Sequence, residues 1–207
     1  MVIIIYNNII IMEKFNTLES GDVLIISCGK TKSYNCFVSC IKSMKRFKIS
    51  HVGMLLKDPN ILGFNEGLYV LDADMTAGHV RITKLEDFLN EYMHVQIFVK
   101  RLTIPKTKLF YDILHSNISR VYGKPYNLSY LKMAEAEFIP DNYLPPNKVE
   151  NEKSFFCSQL VSFFLIKLGI LPDNIDIENI TPHELAEDIL LPFTKGTIES
   201  QQLIFFK

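Results

Sequence analysis

Three residue types that together can activate a thiol stand far apart in the sequence, at Cys157, His51 and Asp72. A cysteine attacks carbonyl carbon as its thiolate, a histidine can take and return a proton, and a carboxylate can hold the imidazole in one tautomer. Thiol chemistry needs these groups in contact. The elements that carry the three residues therefore decide whether they meet.

The cysteine lies at the start of a predicted helix that Gly169 would end. Apolar residues recur along one face of this helix at helical spacing, namely Cys157, Leu160, Val161, Phe164, Leu165 and Leu168. This pattern predicts that Cys157 faces inward from the first turn. The free N–H groups and the positive dipole end at a helix N-terminus stabilise an anion there, which favours a reactive thiolate. The alternative is a core cysteine, since free cysteines are often buried.

The histidine and the acid lie on two predicted strands. Residues 49–56 read as a strand whose alternation places His51 on one face, and residues 68–74 read as the next strand, with Asp72 and Asp74 sharing a face. If the two strands form a hairpin, Asp72 can reach the imidazole, and Asp74 is the second candidate. The competing interpretation of Asp72 is an edge-strand acid that faces water.

The rest of the chain mixes strands and helices. Further strands are predicted at 21–27, 78–82, 95–99 and 203–206, and further helices at 34–46, 84–92, 108–121 and 181–186. We expect residues 1–12 to be an apolar extension that is too short to span a bilayer, and residues 13–207 to form one domain. A proline-rich insertion at 128–153 is either an active-site lid or a surface excursion.

Composition narrows the class of protein. A chain of 207 residues with 48% apolar and 22% charged residues can bury one core, and its net charge of -1 gives no general attraction to nucleic acid. No nucleic-acid partner is therefore expected. The basic residues between 42 and 48 are expected to form a solvated helix face, although local contact with a membrane surface stays open.

The four cysteines do not suggest a disulfide framework. Their small number favours a reducing, cytoplasmic compartment. Cys36 and Cys40 are one helical turn apart, but a zinc site needs four ligands and no further pair accompanies them. We therefore expect no metal and no cofactor.

The order of the motifs resembles a known superfamily. The motifs are Gly21-Asp22-Val23, Ser50-His51-Val52-Gly53, Val70-Leu71-Asp72-Ala73, Gly123-Lys124-Pro125-Tyr126 and Phe156-Cys157-Ser158-Gln159-Leu160-Val161. In papain-like order the cysteine precedes the histidine, and here it follows. Residues 20–190 resemble the circularly permuted branch of the NlpC/P60 papain-like superfamily, the YiiX-like and LRAT-like proteins. Some of these are encoded by large DNA viruses, for which the setting would be a host cell or a virion.

The resemblance implies an α+β, permuted papain-like fold, in which an antiparallel β-sheet or partial barrel packs against helices and the nucleophile begins a helix. It also implies a cysteine-dependent hydrolase or acyltransferase that cleaves an amide or ester bond in a peptide or lipid acyl substrate, through an acyl-thioester on Cys157. His51 would be the base, Asp72 would hold it where the family often has glutamate, and Tyr126 would lie at the substrate rim. The alternative is an inactive papain-like module that binds a protein or a lipid.

Overall fold

The computed structural model describes residues 17–27, 49–92, 95–127, 153–187, 191–194, 197–200 and 202–205. Its elements in chain order are strands β1 (Val23–Ser27), β2 (Ile49–Lys57), β3 (Leu68–Asp74) and β4 (His79–Lys84), helix α1 (Leu85–Glu91), strand β5 (Ile97–Lys100), helices α2 (Lys108–Val121) and α3 (Cys157–Lys167), a 3-10 turn (Ile177–Asn179), helix α4 (Pro182–Ala186) and strand β6 (Gln202–Phe205). The predicted helix at 34–46, the extension at 1–12 and nearly all of the insertion lie outside the described residues.

The strands form one antiparallel sheet in the order β4-β3-β2-β1-β5-β6. The chain thus has the predicted α+β class. Strands β2 and β3 pair as a hairpin, with Met54 opposite Leu71, which confirms the predicted pairing of the His51 and Asp72 strands. Strand β3 also pairs with β4, and in this pairing Asp72 lies directly opposite Arg81.

Each face of the sheet is covered by different helices, because successive strand residues point to opposite faces. Helices α2, α3 and α4 join the core on the face that carries Val52 and Met54. Helix α1 packs on the opposite face, which carries Leu55 and Val70. By alternation, His51 shares its face with Leu55, so the imidazole lies on the α1 side of the sheet.

The segment of residues 123–127, here called the bridging segment, runs along the free edge of β4. Tyr126 donates its backbone N–H to the carbonyl of Gly78 at 2.8 Å. On its other side the bridging segment exchanges two backbone hydrogen bonds with Phe155. Since Phe155 stands two residues before Cys157, the bridging segment ties the start of α3 to the edge of the sheet.

Within the ranges described, no helix combines the length and the apolar content needed to cross a membrane.

Candidate active site

His51 and Asp72 form a buried hydrogen-bonded pair. The Nε2 atom of His51 lies 2.9 Å from Oδ2 of Asp72, and both side chains are buried. The aspartate thereby holds the imidazole in the tautomer that donates from Nε2, which leaves Nδ1 as the second functional nitrogen.

Gly53 gives this pair its space. A Cβ atom at Gly53 would lie 2.7 Å from Cγ1 of Val70 and 3.5 Å from Cβ of Asp72. The first of these distances is a clash, so only glycine fits between the strands at this point. The absent side chain leaves the surface beside Asp72 free for the imidazole of His51.

Cys157 begins α3, as the sequence predicts, and its side chain is buried. Two neighbours fix this helix start. Gln159 accepts the backbone N–H of Phe156 at 3.3 Å, and the hydroxyl of Ser158 donates to the carbonyl of Ile180 at 2.6 Å. The backbone N–H of Cys157 belongs to the first turn, whose N–H groups have no acceptor within the helix.

The charges of Cys157 and His51 are coupled. Burial on its own lowers the pKa of His51, but the Cys157 thiolate and the hydrogen-bonded Asp72 carboxylate raise it more strongly, to about 10. At neutral pH the imidazole is therefore positively charged, and it lies beside the Cys157 sulfur. A positive charge beside a cysteine favours the thiolate, which is the nucleophilic form of the sulfur.

Helix α1 and Tyr92, the residue that follows it, place two aromatic rings against the imidazole. The ring of Tyr92 stacks on His51 with centroids 5.6 Å apart and an angle of 15° between the planes, and Phe88 lies 6.2 Å from the imidazole. Burial raises the pKa of Tyr92 well above its usual value, and the negative charges of Asp72, Asp74 and Cys157 add to this. In the described part of the chain, the buried Tyr92 hydroxyl has no hydrogen-bond partner.

Arg81 binds the second carboxylate oxygen of Asp72. Its Nε donates to Oδ1 of Asp72 at 3.1 Å, and its terminal nitrogens lie 3.5 Å from Asp74 and 2.6 Å from Glu91. Along the line His51, Asp72, Arg81 and Glu91 the charges alternate in sign. This alternation offsets the cost of burying the central carboxylate.

The structure thus brings three sequence-predicted residues together, Cys157, His51 and Asp72. Asp74 instead has partners of its own, because its carboxylate accepts the N–H of Ala77 at 2.6 Å and pairs with Arg81 at 3.5 Å.

Tyr126 is half-buried in the bridging segment, and its role in substrate binding stays a prediction.

The phenylalanines near Cys157 in the sequence belong to the core. Four of them, Phe155, Phe156, Phe163 and Phe164, are buried, which favours core packing over a lipid-binding surface for these side chains.

Two residues of the site were not predicted from the sequence, Arg81 and Tyr92. A signal for each was present. Tyr92 continues the inward spacing of Leu85, Phe88 and Leu89 by one more helical step. Arg81 is a basic residue on the strand that follows the two acids, where cross-strand ion pairs are common.

No group of three or more histidine, cysteine, aspartate or glutamate side chains is placed to hold a metal ion within the described ranges. Cys36 and Cys40 lie outside those ranges.

An antiparallel sheet, a buried cysteine at a helix N-terminus and a histidine that precedes it in the chain define a circularly permuted papain-like protein. Residues 17–178 match a family described as permuted papain-like amidase enzyme, YaeF/YiiX, C92 family. The chain belongs to this family and is a hydrolase of amide bonds. The matching part includes His51, Asp72, Arg81 and Cys157.

One similar solved structure is the crystal structure of the metalloprotein YiiX from Escherichia coli O157:H7. It is 19% identical, with a TM-score of 0.47, over 73% of this chain and 67% of that chain. No curated protein matches the chain.

Proposed function

We propose that this chain is a cysteine amidase in which Cys157 is the nucleophile, His51 the general acid and base, and Asp72 the residue that orients His51. The observation that carries the proposal is that His51 interacts with both Asp72 and Cys157. Its Nε2 is bound to Asp72 at 2.9 Å, and its charge is coupled to the Cys157 thiolate. This is the arrangement by which a histidine keeps a thiol ionised and retains a proton for a leaving group.

The reaction follows from these positions. The Cys157 sulfur attacks the amide carbon, and the resulting oxyanion accepts the backbone N–H at the start of α3. The His51 imidazolium protonates the amine as the C–N bond breaks, which leaves an acyl-thioester on the sulfur. Neutral His51 then takes a proton from water, whose oxygen attacks the thioester. The products are a carboxylic acid, the amine and the regenerated thiolate–imidazolium pair.

We propose a peptide amide as the substrate class. An amide bond is what the family cleaves. A lipid acyl group would need an apolar surface near the sulfur. The phenylalanines nearest in sequence to Cys157 are buried in the core and do not provide one. Transfer of the acyl group to an acceptor other than water needs a second binding surface, which the described residues do not delineate.

A substrate panel tests the proposal. Short peptide amides and lipid esters are incubated with the wild-type chain, Cys157→Ala and His51→Ala, and release of amine or alcohol is measured. Ser162→Ala is the matched control, because Ser162 lies buried on the same helix and its hydroxyl has no hydrogen-bond partner among the described residues.

We expect turnover of a peptide amide by the wild type and by S162A, and loss of roughly 10²-fold or more in the other two variants. Faster turnover of a lipid ester contradicts the substrate class. Turnover that survives in both C157A and H51A contradicts the mechanism. Binding of peptides without any turnover supports the papain-like binding module instead.

A further inference from the structure

The Asp72 carboxylate is held at both oxygens, and only one of its partners belongs to the proposed chemistry. Oδ2 binds His51 at 2.9 Å, whereas Oδ1 accepts the Nε–H of Arg81 at 3.1 Å. We propose that Arg81 is a positioning residue, which fixes Asp72 and through it the His51 imidazole in the orientation that Cys157 chemistry needs. This inference rests on the proposed function.

The carboxylate needs a second partner for a geometric reason. The terminal torsion of an aspartate is broad, so a carboxylate bound at one oxygen can rotate about its Cβ–Cγ bond. Arg81 stands directly opposite Asp72 in the β3–β4 pairing, and its planar guanidinium approaches from the next strand. With both oxygens bound, the plane of the carboxylate is set, and the direction of its hydrogen bond to His51 is set with it.

Arg81 also anchors the helix that packs on the imidazole. Its two terminal nitrogens bind the two carboxylate oxygens of Glu91 at 3.1 and 2.6 Å, which is the bidentate geometry that arginine favours. Glu91 is the last residue of α1, and the next residue, Tyr92, stacks on His51. One guanidinium therefore holds both the group that binds the edge of the imidazole and the segment that covers its face.

The chain contains a matched control for this role. Arg101 pairs with Asp22 at 3.0 Å, and Asp22 is buried like Asp72. The side chains of Arg81 and Arg101 are 18% and 16% exposed, so truncation of either one uncovers a buried carboxylate to a similar degree. Asp22 accepts backbone N–H groups of Glu19 and Leu102 and makes no contact with His51.

The experiment compares Arg81→Ala with Arg101→Ala by steady-state kinetics on the same peptide amide, together with denaturant unfolding. We expect both variants to lose stability. Only R81A should lose kcat, on the order of tenfold to 10²-fold with KM unchanged, because misorientation of a catalytic group weakens the transition state. Millimolar guanidinium chloride, with potassium chloride at equal ionic strength as its control, should restore several-fold activity to R81A and none to R101A.

Arg81→Lys and Arg101→Lys repeat the comparison with milder changes, because an ammonium group cannot hold Asp72 and Glu91 in the same fork. Equal kcat values in R81A and R101A, or in R81K and R101K if alanine prevents folding, overturn the inference. Activity that is abolished in C157A and H51A but unaffected in R81A rejects the positioning role alone. Activity that persists in C157A rejects the proposed function itself.

Discussion

His51 hydrogen-bonds to Asp72 at 2.9 Å, although the strand register would place Asp74 opposite it. The paired residues of β2 and β3 end at Met54 and Leu71, and the same register continued would place His51 opposite Asp74. Asp74 is already engaged by the N–H of Ala77 and by Arg81. The imidazole instead reaches diagonally to Asp72, across the space that Gly53 leaves open.

This difference predicts unequal effects of two matched substitutions. Asp72→Asn should lower kcat on the order of 10²-fold, because an amide can present an N–H to His51 and favour the wrong tautomer. Asp74→Asn should mainly cost stability, by about 1 kcal/mol, through the weakened bond to Ala77. Peptide-amide kinetics and urea unfolding of both variants measure the two effects. A larger loss of kcat in D74N would assign the third role to Asp74.

The position of Cys157 beside the positively charged His51 predicts fast alkylation. At neutral pH we expect iodoacetamide to modify Cys157 faster than Cys28, Cys36 or Cys40, because the sulfur is paired with the positively charged His51. Mass-spectrometric mapping after short exposures across a pH series gives the four rates. In His51→Ala the rate at Cys157 should fall toward those of the other cysteines. Equally slow labelling of all four in the wild type would contradict the ion pair.

The titration of His51 should depend on Cys157. The Cys157→Ala variant removes a negative charge that raises the pKa of His51, while burial, which lowers it, stays in place. We therefore expect the pKa of His51 to fall from about 10 in the wild type. Nitrogen-15 NMR of the imidazole measures both values. An unchanged titration in C157A would show that the thiolate does not act on His51.

The same pKa predicts the direction of a pH effect on stability. Because the folded-state value is raised from 6.5 to about 10, the stabilisation from charged His51 is complete below pH 6.5 and is lost as the pH rises toward 10. Urea unfolding of the wild type should therefore show stability that falls as the pH approaches 10, because below about pH 8.5 the unfolded chain binds an equivalent proton on the Cys157 thiol. The slope should be smaller in C157A, and a steeper slope there would contradict the sign.

The unpartnered hydroxyl of Tyr92 predicts a stabilising substitution. Tyr92→Phe keeps the ring on His51 and removes a buried group that lacks a hydrogen bond, so the free energy of unfolding should rise by up to about 1 kcal/mol. Tyr69→Phe is the control, because the buried Tyr69 hydroxyl donates to the carbonyl of Glu66 at 3.2 Å and its loss should destabilise. Urea unfolding compares the two, and a less stable Y92F would reveal a partner for that hydroxyl.

Much of this architecture could be predicted because it depends on local patterns. The start of α3 at Cys157 follows from helical spacing, and the shared face of Asp72 and Asp74 follows from strand alternation. The choice between the two acids could not be predicted. It depends on where β2 and β3 stop pairing and on which groups occupy Asp74, and both are properties of the assembled sheet.

The ion pairs of Arg81 could not be predicted from the sequence either. Its type and strand could be read from the sequence, but its function needs three neighbours, of which Glu91 comes from a helix on one face of the sheet. Alternation alone indicates on which face a side chain lies. It does not indicate which of several acids will share one guanidinium.

The bridging segment has a consequence for how a substrate can be held. Between Gly78 and Val80, the backbone groups at the edge of β4 are bonded to residues 123–127, and these are bonded in turn to Phe155. A peptide cannot extend the sheet as an added strand along this stretch, because its hydrogen-bonding positions are already filled. If the substrate is a peptide, as proposed, side chains rather than backbone pairing would have to hold it along this stretch.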